Sequence, residues 1–152
     1  GKFDAVITIF NAIGHLTKND FNKTIKNIYK NLNDDGLYLF DIFNLEAMTD
    51  TAVNNLAMDY KKIVKDKTVH HIQHSTINRD KGQITSYDNY IIDKVGGGVK
   101  KINNKFTLQI YKAKELQLML AENGFKTLKQ YGIDGSEFKE CKTINILTLA
   151  QK

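Results

Sequence analysis

His15 follows the apolar run Phe3 to Phe10 after a short loop. Imidazole titrates near neutral pH, and open α/β sheets seat their ligands at the C-terminal ends of strands, so His15 can take a proton from a nucleophile there; it can equally cap or pack its loop. Asp41 interrupts a second apolar run, Leu37 to Phe43, near its end. A buried carboxylate needs partners, so Asp41 either binds an amine or ties loops together through hydrogen bonds. Tyr87, Asn89 and Tyr90 carry hydroxyl and amide groups suited to a polar small molecule, on a segment that also reads as an exposed strand. His70, His71 and His74 lie close in sequence, but on a strand His70 and His74 share a face while His71 points away. No cysteine or carboxylate joins them at ligand spacing, so no metal site is expected. Cys141 has no adjacent histidine and reads as an inert thiol.

The elements that must position these groups follow from periodicity. Phe3 to Phe10, FDAVITIF, is the pattern of a strand buried on both faces of a parallel sheet. Thr17 can cap a helix with Asp20 three residues on, and Phe21, Ile25, Ile28 and Leu32 recur at helical spacing up to the turn Asn33-Asp34-Asp35-Gly36. Leu37 to Phe43 is the next strand, which makes residues 1–44 a right-handed βαβ unit. Residues 45–110 change character. Tyr60 to Val64, Val69 to Asn78, Gln83 to Ile92 and Val99 to Ile110 read as antiparallel strands, with turns at Asp80-Lys81-Gly82 and Gly96-Gly97-Gly98. Residues 111–152 return to a helix at Lys112 to Asn123, then strands at Phe125 to Tyr131 and Ile144 to Ala150. The 152 residues are expected to form one domain.

Composition narrows the partners. The net charge is +5, yet 21 of the 22 basic residues are Lys and only Arg79 can make forked contacts, so the lysines read as a scattered, solvated surface that argues against nucleic acid. Every apolar run is too short to span a bilayer, and no membrane partner is expected. The lone cysteine excludes an internal disulfide and points to the cytoplasm. Gly1 reads as a processing boundary, with no basic-then-apolar leader behind it.

Four blocks of the sequence resemble class I S-adenosylmethionine-dependent methyltransferases. FDAVITIFNAIGHL is similar to that family's fourth strand and the loop after it; LNDDGLYLFDIFN to the turn and fifth strand; YKAKELQLMLAENGFKTLKQYG to the last helix and sixth strand; and INILTLAQK to the final antiparallel strand. The order spans both ends of the chain. The resemblance implies an α/β fold, a partial Rossmann-like methyltransferase sheet in strand order 4-5-7-6 with an antiparallel β insert. The insert is most similar to small-molecule methyltransferases acting on amino groups, sugar N-methyltransferases among them.

By that resemblance the chain is a C-terminal half, whose cofactor is S-adenosyl-L-methionine and whose substrate is a small-molecule acceptor carrying an amino group. Phe10, Asn11 and Ile13 match family positions beside the methionine and adenine of the cofactor; Tyr87, Asn89 and Tyr90 would roof the acceptor pocket, with Asp41 close to it. Methyl transfer is an in-line displacement that asks mostly for positioning, but an amine must be neutral to attack, which gives His15 its role as proton acceptor. The family's glycine-rich loop has no counterpart, because Gly96 to Gly98 sit between alternating segments with no helix behind them. The half alone is therefore expected to bind the cofactor weakly and to be inactive. Its first strand would be an apolar edge, so a homo-oligomer, most simply a dimer, or a missing N-terminal half is expected to cover it. Two other readings stay open: a non-catalytic interaction or dimerisation fragment of methyltransferase origin, and a methyltransferase acting on RNA or a ribosomal protein.

Overall fold

The computed structural model describes residues 2–152. In chain order its elements are β1 (Phe3–Thr8), a 3-10 turn (Ala12–His15), α1 (Lys18–Asn31), β2 (Leu32–Phe43), α2 (Asp50–Asn54), β3 (Met58–Val64), β4 (Lys67–Asn78), β5 (Gln83–Lys94), β6 (Gly98–Gln109), α3 (Ala113–Glu122), β7 (Lys126–Gly132) and β8 (Asn145–Gln151). They form two compact units, residues 1–48 with 108–152, and residues 49–107.

The first unit is an α/β layer built on a mixed sheet of order β1-β2-β8-β7. β1 and β2 are parallel, whereas β8 runs antiparallel to both β2 and β7. A parallel neighbour needs a crossover, and α1 supplies it. Thr17 starts that helix by accepting the Asp20 N–H at 3.1 Å while its hydroxyl donates to the Asp20 carboxylate at 2.7 Å. Phe21 and Ile25 then point into a core that also holds Tyr38, Phe40 and Ile42 of β2, Ile146 and Ala150 of β8, and Leu116 and Leu120 of α3. Phe21 meets Phe40 and Tyr111 edge-on at 5.7 and 5.6 Å. Each of these large side chains contributes about 1.5–3 kcal/mol on burial.

This core covers one face of the sheet. Along β2 and β8 burial alternates, so that Leu37, Leu39, Leu147 and Leu149 on the opposite face are only half-buried. The sequence pattern FDAVITIF implied burial on both faces of β1, and the structure corrects this. β1 pairs with β2 alone among the described residues, Ile7 is 63% exposed, and only Val6 and Thr8 reach partial burial. An apolar strand needs a second neighbour and a second covering layer to be buried all round, and β1 has neither here. The turn expected at Asn33 to Gly36 lies inside β2 as an irregularity, where the pairing shifts from Phe3 with Leu32 to Ala5 with Leu37 and Asp35 takes φ 62°.

The second unit is a sheet of order β3-β4-β5-β6. Its four strands match the alternating segments of the sequence to within about two residues at each end. The short helix α2 was not expected; Thr49 caps it by accepting the Ala52 N–H at 3.1 Å. No helix among the described residues is long and apolar enough to cross a membrane.

Candidate functional site

The C-terminal ends of β1 and β2 open into a cleft of about 470 Å³ within the first unit. Its apolar walls are Ile9, Phe10, Phe43 and Ile133, and its polar groups are Asn11, Asp41 and Asn145. Asp41 is 2% exposed and anchors the cleft. Its two carboxylate oxygens accept the backbone N–H of Asn11 at 3.2 and 3.1 Å, and one of them accepts the Asn145 amide at 3.5 Å. Asn11 answers in the other direction, its side-chain oxygen accepting the Phe43 N–H at 3.1 Å. The loop after β1 is thus tied to the end of β2 through three backbone-to-side-chain hydrogen bonds. Of the two roles expected of Asp41, loop organisation is the one the geometry displays.

The same ties hold the backbone in a strained form. Phe10 and Asn11 both lie in the left-handed region, at φ 62° and 54°. Asparagine tolerates this conformation, but a bulky side chain does not, and such outliers concentrate at ligand sites. Phe10 is 89% exposed, so its strain is not repaid by burial in this chain. Gly14 completes the loop, because a Cβ there would stand 2.8 Å from the Asn11 amide nitrogen.

The remaining expected site residues are not all brought together. Ile13 is 1% exposed and belongs to the hydrophobic core instead of the cleft wall, since the 3-10 turn rotates it inward. His15 ends that turn on the exposed surface and does not line the cleft. Tyr87, Asn89 and Tyr90 lie in the second unit on β5, and strand alternation divides them: Tyr87 and Asn89 share one face, Tyr90 the other. Tyr87 stacks on His74 at 5.0 Å, with the Lys105 ammonium 5.4 Å from its ring centroid.

One arrangement in the second unit was missed by the sequence reading. His71 and Asp88 are both buried, with Nε2 2.8 Å from the Asp88 carboxylate. The His71 ring stacks on Tyr90 at 4.2 Å and meets Tyr60 edge-on at 5.3 Å. The other ring nitrogen, Nδ1, is buried with no hydrogen-bond partner. Burial, followed by the neighbouring Asp88 carboxyl group, raises the Tyr90 phenol above its ordinary range. The three neighbouring histidines keep separate partners, His70 contacting Asp59 at 2.6 Å, and among the described residues no group of three His, Cys, Asp or Glu gathers as a metal site.

No protein-family model matches the sequence, and no curated protein matches it. Solved structures do match. An S-adenosylmethionine-dependent methyltransferase from Clostridium acetobutylicum is similar with a TM-score of 0.74 and 16% identity over 99% of this chain and 58% of its own. An amino pentose methyltransferase of calicheamicin biosynthesis from Micromonospora echinaspora, solved with S-adenosylmethionine bound, gives 0.74 and 14% over the same shares. A sugar N-methyltransferase from Streptoalloteichus gives 0.72 and 14% over 97% of this chain and 56% of its own. The chain thus spans under three fifths of the length of each, and along nearly all its own length it has the fold of part of an S-adenosylmethionine-dependent methyltransferase.

Proposed function

We propose that the chain is the carboxyl-terminal half of an S-adenosylmethionine-dependent methyltransferase acting on a small molecule with an amino group, and that its cleft is one wall of the cofactor and acceptor site. The observation that carries this reading is the cleft itself: a buried carboxylate and a strained, exposed aromatic at the carboxyl ends of two parallel strands, in a fold superposable on methyltransferases. The order β1-β2-β8-β7 supports equating these strands with the fourth, fifth, seventh and sixth of that fold. The half-buried leucines on the second face of the sheet and the unpaired side of β1 support a further layer and strand supplied by the rest of such an enzyme, or by a second copy.

The residues present suit part of S-adenosyl-L-methionine. Ile9, Phe10, Phe43 and Ile133 offer flat apolar contact to an adenine or a methylthio group, and Asp41 puts a negative charge near a cationic centre. The amino-acid end of the cofactor asks for a glycine-rich strand-to-helix turn, and the described residues hold none. When bound, the cofactor supplies an electrophilic methyl group. What this chain adds is position: the Asp41 and Asn11 ties fix the loop, and Ile9, Phe10 and Ile133, exposed in this chain, would exclude water from the line of attack only once ligand and the rest of such an enzyme cover them. His15 ends the same loop outside the cleft walls, so its role as acceptor of the attacking amine's proton would run through water.

Calorimetry and ligand-observed NMR with S-adenosylmethionine test this on the 152-residue chain. Weak binding, seen only by saturation transfer to the adenine protons and lost in Phe10→Ala, is expected. A micromolar site would sink the half-site reading, and no transfer at millimolar cofactor would sink the cleft.

A further inference from the structure

The lysines are scattered along the sequence, but the fold gathers a third of them at one end of the second sheet. Segments 61–68 and 93–101 form the end of β3, the start of β4, the end of β5 and the start of β6, and every residue in both segments is exposed. The two hairpin tips are joined, since the Val95 N–H donates to the Asp66 carbonyl at 3.1 Å. The sheet end therefore projects with solvent on both faces and no core behind it. Such a position needs no apolar residue for folding, yet it carries Ile63, Val64, Val95 and Val99, with Val95 84% and Ile63 76% exposed. Around them stand seven lysines against two aspartates, an excess equal to the net charge of the entire chain. One aspartate, Asp66, is already engaged by Lys94 at 3.5 Å.

We infer that this sheet end is a peripheral docking surface for an anionic membrane, the valines and isoleucine entering the headgroup boundary while the lysines engage lipid phosphates and carboxylates. Aliphatic tips ringed by ammonium groups match both layers of such a surface. Nucleic acid is the poorer match, because neither segment contains an arginine or an aromatic ring for forked or stacking contacts. A second copy is poorer still, since two such ends would bring like charges together.

The test is flotation of the 152-residue chain with vesicles of phosphatidylcholine alone or mixed with phosphatidylserine. Binding to the mixed vesicles alone is expected, weakening as salt rises. Lys65→Ala/Lys67→Ala/Lys100→Ala should weaken it on the order of a hundredfold, each lysine near an anionic leaflet being worth about fivefold. Ile63→Asp/Val95→Asp should abolish it, with unchanged circular dichroism showing that the fold is kept. No recovery with the mixed vesicles, equal recovery with both kinds, or binding untouched by Ile63→Asp/Val95→Asp would overturn the inference. Binding to a single-stranded oligonucleotide in place of vesicles would overturn it in favour of nucleic acid, and self-association abolished by Ile63→Asp/Val95→Asp without vesicle binding would overturn it in favour of a second copy.

Discussion

Replacing Asp41 by alanine removes the acceptor for the Asn11 backbone N–H, whose hydrogen bonds to the carboxylate measure 3.2 and 3.1 Å. Asn11 is itself buried, so its N–H finds no ready substitute in water, and an orphaned donor of this kind costs about 1–3 kcal/mol. The charged character of the acceptor places the loss toward the upper end. Part is returned, because once the tie is cut Phe10 can leave the left-handed region and release about 1 kcal/mol of strain. The net expectation is a destabilisation of about 1–2 kcal/mol, most of it local to residues 9–16. Asp41→Asn keeps one carbonyl oxygen for the Asn11 N–H and should cost less, about 1 kcal/mol. Urea unfolding followed by circular dichroism gives the global figure, and amide hydrogen exchange of Asn11 gives the local one. A slow Asn11 amide in the parent chain and a fast one in Asp41→Ala is the expected pair. The reasoning fails if that amide already exchanges freely in the parent, or if Asp41→Ala shifts stability by less than about 0.5 kcal/mol.

At Phe10, glycine relieves the left-handed backbone and loses no burial, so Phe10→Gly should keep stability within about 1 kcal/mol, whereas the β-branched Phe10→Val should lose about 1–2 kcal/mol in urea titrations. His71→Phe keeps the ring on Tyr90 but leaves the Asp88 carboxylate buried without its partner; a loss of about 3 kcal/mol is expected, and Asp88→Asn in the same background should recover part of it by thermal unfolding. The Thr17 hydroxyl, then Lys23, holds the Asp20 carboxyl below its usual 3.8. A depressed carboxyl stabilises the fold above its unfolded value and loses that contribution as pH falls through the lower folded value, so α1 should fray below about pH 4, and Thr17→Ala should reduce the acid dependence of its helical signal.

The strands and helices were largely legible because periodicity and capping are local. Thr17 with Asp20 announced α1, and Gly124 marked the end of α3. Burial was not legible at β1, because an apolar run states what a strand can bury and not which neighbours it has. Asp41 was found as a polar interruption of a buried strand, but Asn145 and Ile133 reach the cleft only through the sheet order, which sets Phe43 beside Asn145. Ile13 was placed on the cleft by resemblance, while the 3-10 turn that sends it into the core depends on Asn11 and Gly14 fitting together. The His71 and Asp88 pair was within reach: the turn at Asp80 to Gly82 sets Asn78 opposite Gln83, and counting back along both strands brings His71 opposite Tyr90 and diagonal to Asp88.

The central claim, that the cleft at the ends of β1 and β2 is one wall of a cofactor site, is tested most directly by mapping amide chemical shifts of the labelled chain during titration with S-adenosylmethionine. Shifts concentrated at Phe10, Asn11, Phe43, Ile133 and Asn145, and absent from the Asp41→Ala variant, are the result expected. Shifts confined to other surfaces, or none in the loop after β1 at saturating cofactor, would contradict it.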